Sequence, residues 1–146
     1  MSKKIVSILL LLLMCRLFAV ASEPNVTGIW LVGEKDYHIE LYKNASGAIE
    51  GKVVWMKVAN DSHGKPRTDI DNPDEKLRSR PIMGLKTVTD FKWNEADGAF
   101  VNGKVYKKGK IYCGMMKLNS DGTLFLRGYI CSVSFLGKSD TWTRIK

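Results

Sequence analysis

Two short stretches at opposite ends of the chain restrict its fold more than any others: Gly28-Ile29-Trp30 and Thr141-Trp142-Thr143-Arg144. A glycine two residues before a tryptophan in the first strand, answered by an arginine in the last, describes a sheet that closes on itself. In that arrangement Trp30 plugs the floor of a barrel. The Arg144 guanidinium stacks on the indole face and donates to backbone carbonyls. A closed barrel has an inside, so the functional question becomes what fills it.

The intervening sequence has the matching rhythm. Apolar residues recur with a period close to two near 27–32, 37–42, 49–57, 85–93, 99–106, 110–118, 123–131 and 139–145, with turn residues between. Most connections are short, such as Asn44-Ala45-Ser46-Gly47 and Asn119-Ser120-Asp121-Gly122. Eight sequential antiparallel strands in one small domain make an all-β, up-and-down antiparallel barrel.

The second half of the chain sets its own register. A type I turn with a bulged Gly122 pairs Asn119 with Thr123 and places Met116 opposite Leu126. One face of this hairpin then carries Tyr112, Gly114, Met116, Leu118, Leu124, Leu126, Gly128 and Ile130, while Lys117 and Arg127 lie on the other. The first face is therefore the inner one. A two-residue loop at Lys108-Gly109 adds Val105 and Val101 to it. Gly103, Gly114 and Gly128 then form an inward row across three strands. Either the barrel coils sharply there with a large ring over the gap, or a ligand approaches the backbone.

The N-terminus reads as a targeting segment. Lys3 and Lys4 precede an apolar run from Ile5 to Met14, and Ala19-Val20-Ala21 supplies a small-x-small cleavage pattern. The run is short for a membrane span and Arg16 interrupts it. Cys15 raises lipidation, but Met14 fits poorly before a lipidated cysteine. Residues 1–21 are thus expected to be cleaved, leaving a single domain over 22–146 with no transmembrane segment. That domain keeps 20 basic and 15 acidic side chains, a net charge of +5. Its charges are spread along the chain rather than banked in one run, which argues against nucleic acid as a partner.

Two cysteines, Cys113 and Cys131, survive processing, and in an oxidising compartment such a pair is a candidate disulfide. The register puts both on the outer face, offset diagonally by two residues, an awkward direct bridge unless the pairing shifts.

One connection is long. Within it Asn72 suits an N-cap, Pro73 the first helical position, and Asp74 and Glu75 the positive end of a helix, with Pro81 as a stop. A short helix from Pro73 to about Ser79 is predicted between strands three and four, serving as a rim or lid element. Arg78 and Arg80 are expected to latch onto Asp71 and Asp74, the other reading being a ligand-binding arginine pair. Asp69 and Asp71 begin like a calcium loop, but Pro73 and Arg80 stand where ligands are needed. His38, His63, Cys113 and Cys131 lack zinc spacing, and no phosphate loop or nucleophile elbow is present. No metal, cofactor or enzymatic activity is therefore expected. Lys104, Lys107, Lys108 and Lys110 crowd one hairpin tip. The ordinary reading is a solvated turn that discourages edge pairing, the other a dock for an acidic lipid headgroup or polymer. Three Asn-x-Ser/Thr matches, at Asn25, Asn44 and Asn60, would matter only in a eukaryotic secretory pathway.

Several of these stretches resemble a family of small exported bacterial proteins called domain of unknown function 2147. They are Asp71-Asn72-Pro73-Asp74, Leu77-Arg78, Arg80-Pro81, Gly84-Leu85, Leu126-Arg127-Gly128-Tyr129-Ile130, Leu136-Gly137 and Thr141-Trp142-Thr143-Arg144. The resemblance spans nearly all of residues 22–146. It departs after Val105-Tyr106, where the family usually continues with Asp-Pro and a longer loop and this chain has Lys107-Lys108-Gly109. The resemblance implies a lipocalin-like barrel in a bacterial periplasm or outside the cell, and it supplies no reaction. Fold does not imply function.

Two functions are expected to compete. In the first the barrel binds a small apolar or amphipathic molecule against Trp30, Leu41, Trp55, Tyr112, Met116, Leu126 and Trp142 and the glycine row Gly103, Gly114 and Gly128. In the second the interior is solid. The surface then meets an envelope component through rim residues Asn72, Asp74, Arg78, Arg80, Arg127 and Tyr129, or through the lysine-rich tip.

Overall fold

The computed structural model describes residues 22–146, so the expected leader lies outside the described residues. Eight strands follow one another around a closed ring: β1 (Gly28–Leu31), β2 (Tyr37–Lys43), β3 (Ile49–Met56) and β4 (Lys86–Asn94), then β5 (Ala99–Lys107), β6 (Lys110–Leu118), β7 (Leu124–Ile130) and β8 (Val133–Arg144). All neighbours are antiparallel, and β1 closes on β8. This is the up-and-down barrel expected from the period of two. Alternating strand direction puts both ends of the domain and turns 44–48, 95–98 and 119–123 at the floor. The mouth carries turns 32–36, 108–109 and 131–132 and the long 57–85 loop.

The floor closes as its sequence implies. Trp30 pairs with Arg144 across the β1–β8 seam and is fully buried. The Arg144 guanidinium lies 4.2 Å from the indole centroid. It donates to the carbonyls of Thr27 and Asn25, the latter at 2.8 Å. Trp30 Nε1 donates to the Val26 carbonyl at 2.9 Å, so the one polar atom of the plug is satisfied inside the floor. Gly28, at φ 128°, is required here, because a side chain would collide with the Lys146 carbonyl and the Arg144 guanidinium.

The turns deliver the predicted registers. Asn119 and Thr123 are bonded across the Gly122 turn, Met116 faces Leu126, and Val105 faces Tyr112 beyond the Lys108-Gly109 loop. Gly103, Gly114 and Gly128 do form one row. The Phe91 ring lies flat over Gly103 and reaches Gly114, filling the gap two of the three glycines leave.

Two positions differ from the simple alternation because of a bulge, and one strand begins earlier than expected. Val54 has no opposite residue, since His38 pairs with Trp55 and Ile39 with Val53. The extra residue turns Met56 inward and Trp55 out, where it is 40% exposed and stacks on His38 at 4.3 Å. In β5 two residues, Val101 and Asn102, oppose Met115 alone, and Asn102 takes φ 59°. Phe100 rather than Val101 therefore enters the core, 1% exposed. Finally β8 starts at Val133, six residues before its expected onset at 139, because it continues past the end of its β1 partner.

Two substitutions test this packing. Gly103→Ala pushes a methyl into the Phe91 ring and is expected to lower stability by about 1–3 kcal/mol, read by urea denaturation. Arg144→Ala removes the stack and both carbonyl contacts, with an expected loss of about 1–3 kcal/mol; an unchanged midpoint would show that the seam does not need them.

Candidate binding site at the open end

The barrel interior is unequal along its axis. Trp30, Leu41, Ile49, Phe91, Phe100, Met116 and Leu124 are each below 2% exposed, with Leu126 at 6% and Trp142 at 4%. A side chain facing a water-sized void would show accessible surface, so the lower barrel is packed solid. Of the expected lumen residues, Trp30, Leu41, Met116, Leu126 and Trp142 are core, while Trp55 is outside. Gly103 and Gly114 lie beneath Phe91.

The upper part differs on one side. Gly128 is the member of the glycine row that Phe91 leaves uncovered. A Cβ there would meet only Tyr112 Cβ, at 3.7 Å. Gly128 pairs with Lys138, two residues above Asp140, and the Tyr112 side chain is half-buried beside it. These residues form an uncovered stretch of the upper inner wall shared by β6, β7 and β8, termed the cup below. Its lower edge is fixed by Asp140, whose carboxylate accepts from Trp142 Nε1 at 2.8 Å and from the Gly33 amide at 3.2 Å. Above Asp140 no β1 residue pairs with β8, because β1 ends at Leu31. The barrel is thus open laterally there. Across the mouth Lys107 of β5 reaches Glu34 of the β1–β2 turn at 3.2 Å, dividing the opening from above.

The long loop is fastened to the β5–β6 side, by a device the sequence reading missed. Asp69, 2% exposed, is the centre. Tyr106 Oη donates to its carboxylate at 2.7 Å, Asn72 Nδ2 at 2.8 Å and Arg80 Nε at 2.9 Å. Asn72 Nδ2 also reaches Tyr106 Oη at 2.9 Å, and the Arg80 guanidinium lies 5.4 Å from the Tyr106 ring centroid. The expected latch from Arg78 and Arg80 to Asp71 and Asp74 is therefore replaced. Arg80 holds Asp69, while Arg78 donates to Glu75 and to the Asn72 carbonyl at 2.8 Å. The expected helix shrinks to one 3₁₀ turn, Glu75–Leu77, capped by Asp74 rather than Asn72. Asn72 closes the turn just before it instead: its Oδ1 accepts from the Asp74 amide at 2.9 Å while its Nδ2 joins the buried cluster. Tyr106 stands 37 residues from Asp69 and 34 from Asn72 along the chain, so no local pattern pointed to the cluster.

Burial opposes charge on Asp69, but the Asn72, Tyr106 and Arg80 hydrogen bonds outweigh it and hold the carboxyl below the usual range. Burial, then donation to Asp69, pushes the Tyr106 hydroxyl up.

At the β7–β8 corner Cys113 and Cys131 are joined, with Cα atoms 4.9 Å apart. The predicted diagonal is present, Cys113 pairing with Tyr129, but Cys131 lies past the end of β7 in the turn, where its backbone is free of the ladder. Arg127 and Tyr129 stand on the outer face with the guanidinium 5.9 Å from the ring centroid. Below them Asn94, Asp97, Val101, Asn102, Met115 and Tyr129 line an open outer hollow of about 460 Å³. It is not part of the lumen.

Closed, eight-stranded and antiparallel, with strands in chain order and a tryptophan–arginine floor, the domain is lipocalin-like. Residues 28–144 match the family described as "Uncharacterized protein conserved in bacteria (DUF2147)", and the chain belongs to that family. Its fold is shared by a solved protein, HP1028 from the human pathogen Helicobacter pylori, described as belonging to the lipocalin family. The TM-score is 0.71 at 24% identity over 85% of both chains. No curated protein matches the sequence. Among the described residues no helix is long and apolar enough to cross a membrane.

The Asp69 cluster carries a pH signature. Its contribution to stability is complete above about pH 4, the ordinary aspartate value, and is lost as pH falls through the lower value of the folded protein. Tyr106→Phe is expected to lower stability at neutral pH by about 1–3 kcal/mol and to weaken this acid dependence. Urea midpoints from pH 7 down to the acid transition measure both.

Proposed function

We propose that the protein is an exported bacterial binding protein that holds a small amphipathic molecule in the shallow cup at its open end. Export is supported by the leader-like N-terminus and by the Cys113–Cys131 disulfide, which persists in oxidising compartments. The reading is one of binding rather than catalysis. The most buried carboxylate described, Asp69, is spent on loop anchoring by three donors.

One observation carries the proposal. The inner surface around Gly128, Tyr112 and Lys138 is left uncovered while everything beneath it is sealed. A ligand seated there would lay an apolar part over Gly128 and Tyr112 and present a polar or anionic group to Lys138. The deep apolar lumen expected from sequence is occupied by Phe91, Phe100 and Met116, so a long buried chain has no space. The sealed lower barrel equally favours the alternative, an envelope interaction module acting through its rim.

Native mass spectrometry of protein purified from its own host, with titration of a fluorescent fatty acid, separates the two. Gly128→Leu is the decisive variant. A side chain at 128 has room, so stability should change by about 1 kcal/mol or less, while probe affinity should fall at least about ten-fold. Unchanged affinity, or an empty barrel that takes up no probe, would refute the cup and leave the interaction module.

A further inference from the structure

The β7–β8 corner exposes apolar side chains that the binding cup does not explain. Tyr129 pairs with Gly137 and the next residue, Ile130, with Val133, so Ser134, Phe135 and Leu136 have no opposite residue. This three-residue bulge is held in place. Arg127 Nη2 donates to the Ser134 carbonyl at 3.1 Å and to the Phe135 carbonyl at 3.4 Å, and the disulfide ties the adjoining turn to β6. The result is an anchored protrusion with Phe135 79% and Leu136 49% exposed, beside Ile130 at 45% and Ile111 at 61%. Large apolar groups fixed outward together at one rim are the signature of a surface that is covered in use.

Charge says by what. Counted by position in the barrel rather than run by run, residues 98–139, which make up β5 to the upper half of β8, hold seven basic side chains and one acid, Asp121. Asp121 lies in a floor turn, away from the rim. The rest of residues 22–146 holds thirteen basic and fourteen acidic side chains. The whole positive excess of the domain thus belongs to the side that carries the protrusion, with Lys108, Lys110 and Lys138 at or beside the mouth. The 57–85 loop, which packs against the β5–β6 tip, carries six basic and five acidic residues and so adds almost nothing.

We propose that the β5–β6 and β7–β8 tips dock the protein on an anionic phospholipid bilayer, Phe135 and Leu136 entering the headgroup–acyl boundary and Lys108 and Lys110 facing lipid phosphates. The pairing of a small apolar wedge with a basic rim is what reversible adsorption to such a surface requires. A second copy of this chain would present the same positive rim, and the two would repel. Docking does not depend on occupancy of the cup, whose open side nonetheless lies against the same corner.

The test is co-sedimentation with vesicles of equal parts phosphatidylglycerol and phosphatidylcholine, against pure phosphatidylcholine, with light scattering for the oligomeric state. Binding is expected only to the anionic vesicles and should weaken with added salt. Lys108→Glu with Lys110→Glu should lower affinity by about five-fold or more for each lysine changed. Phe135→Ser with Leu136→Ser should lower it at least about ten-fold at constant charge. All four side chains are exposed, so thermal midpoints should stay near that of the parent. Binding that ignores lipid charge, or survives the Phe135 and Leu136 changes, would overturn the proposal. So would a dimer that these changes convert to monomer. Fatty-acid titration without vesicles keeps the two proposals apart: the tip variants should retain probe binding, and Gly128→Leu should retain docking.

Discussion

The structure depends on a seam that is unusually short. β1 contributes four residues, and its ladder with β8 is Trp30 with Arg144 and Leu31 with Thr143. So little backbone pairing is a weak closure for an eight-stranded ring. Backbone bonds of Ile29 with Ile145 and Lys146 extend it at the floor, and side chains add the guanidinium over the indole, its bonds to the Asn25 and Thr27 carbonyls, and the Asp140 carboxylate on Gly33. Each tie lies at or below Asp140. The barrel is zipped from the floor to about half its height and free above, and the sealed base and the side opening are two consequences of that one fact.

Bulges decide what the sealed part contains. The extra residue in β5 brings Phe100 inward, and the one in β3 brings Met56 inward and expels Trp55. Phe91 enters β4 next to Asp90, which sits at φ 63°. Together with the two glycines it covers, Phe91 replaces a lumen with a ring stacked on backbone. Close packing of this kind leaves no gradual route to a deep ligand. A binding role is therefore confined to where the glycine row runs past the reach of Phe91, at Gly128.

Strand number, ring closure, the Trp30–Arg144 contact, the Gly122 and Lys108-Gly109 turns and the glycine row were legible because each follows from local rules. Periodicity fixes faces, and turn type fixes register. Trp55 and Val101 were misplaced because one inserted residue reverses a face without altering composition. The helix over 73–79 was misjudged for another reason. Asn72, Pro73, Asp74 and Glu75 form a good helix start, but the Asn72 amide nitrogen is tied to Asp69 and Tyr106 while its oxygen bonds the Asp74 amide, and these tertiary contacts overrode the local preference. Such a cluster joins residues 69, 72, 80 and 106, a spacing no single-segment pattern contains. The family resemblance found the Asn72 to Pro81 stretch without saying what it does, and the structure answers in part: it is an anchor.

The mouth is consequently built from two unlike halves. On one side the Asp69 cluster and the Asp71 carbonyl packed at Gly109 hold a near-neutral loop against β5 and β6. On the other, the disulfide and Arg127 hold a basic corner from which apolar groups project. Arg127 is the informative residue. Among the described residues its guanidinium meets no acid and instead supports two carbonyls of a bulge whose apolar side chains stay exposed. Ordering a segment costs conformational entropy of about 1–2 kcal/mol per residue, and here no core burial within the domain offsets it. A fold that spends an arginine and a disulfide to hold Phe135 in water places the missing compensation outside the chain, and it is the positive surround that selects an anionic surface to provide it.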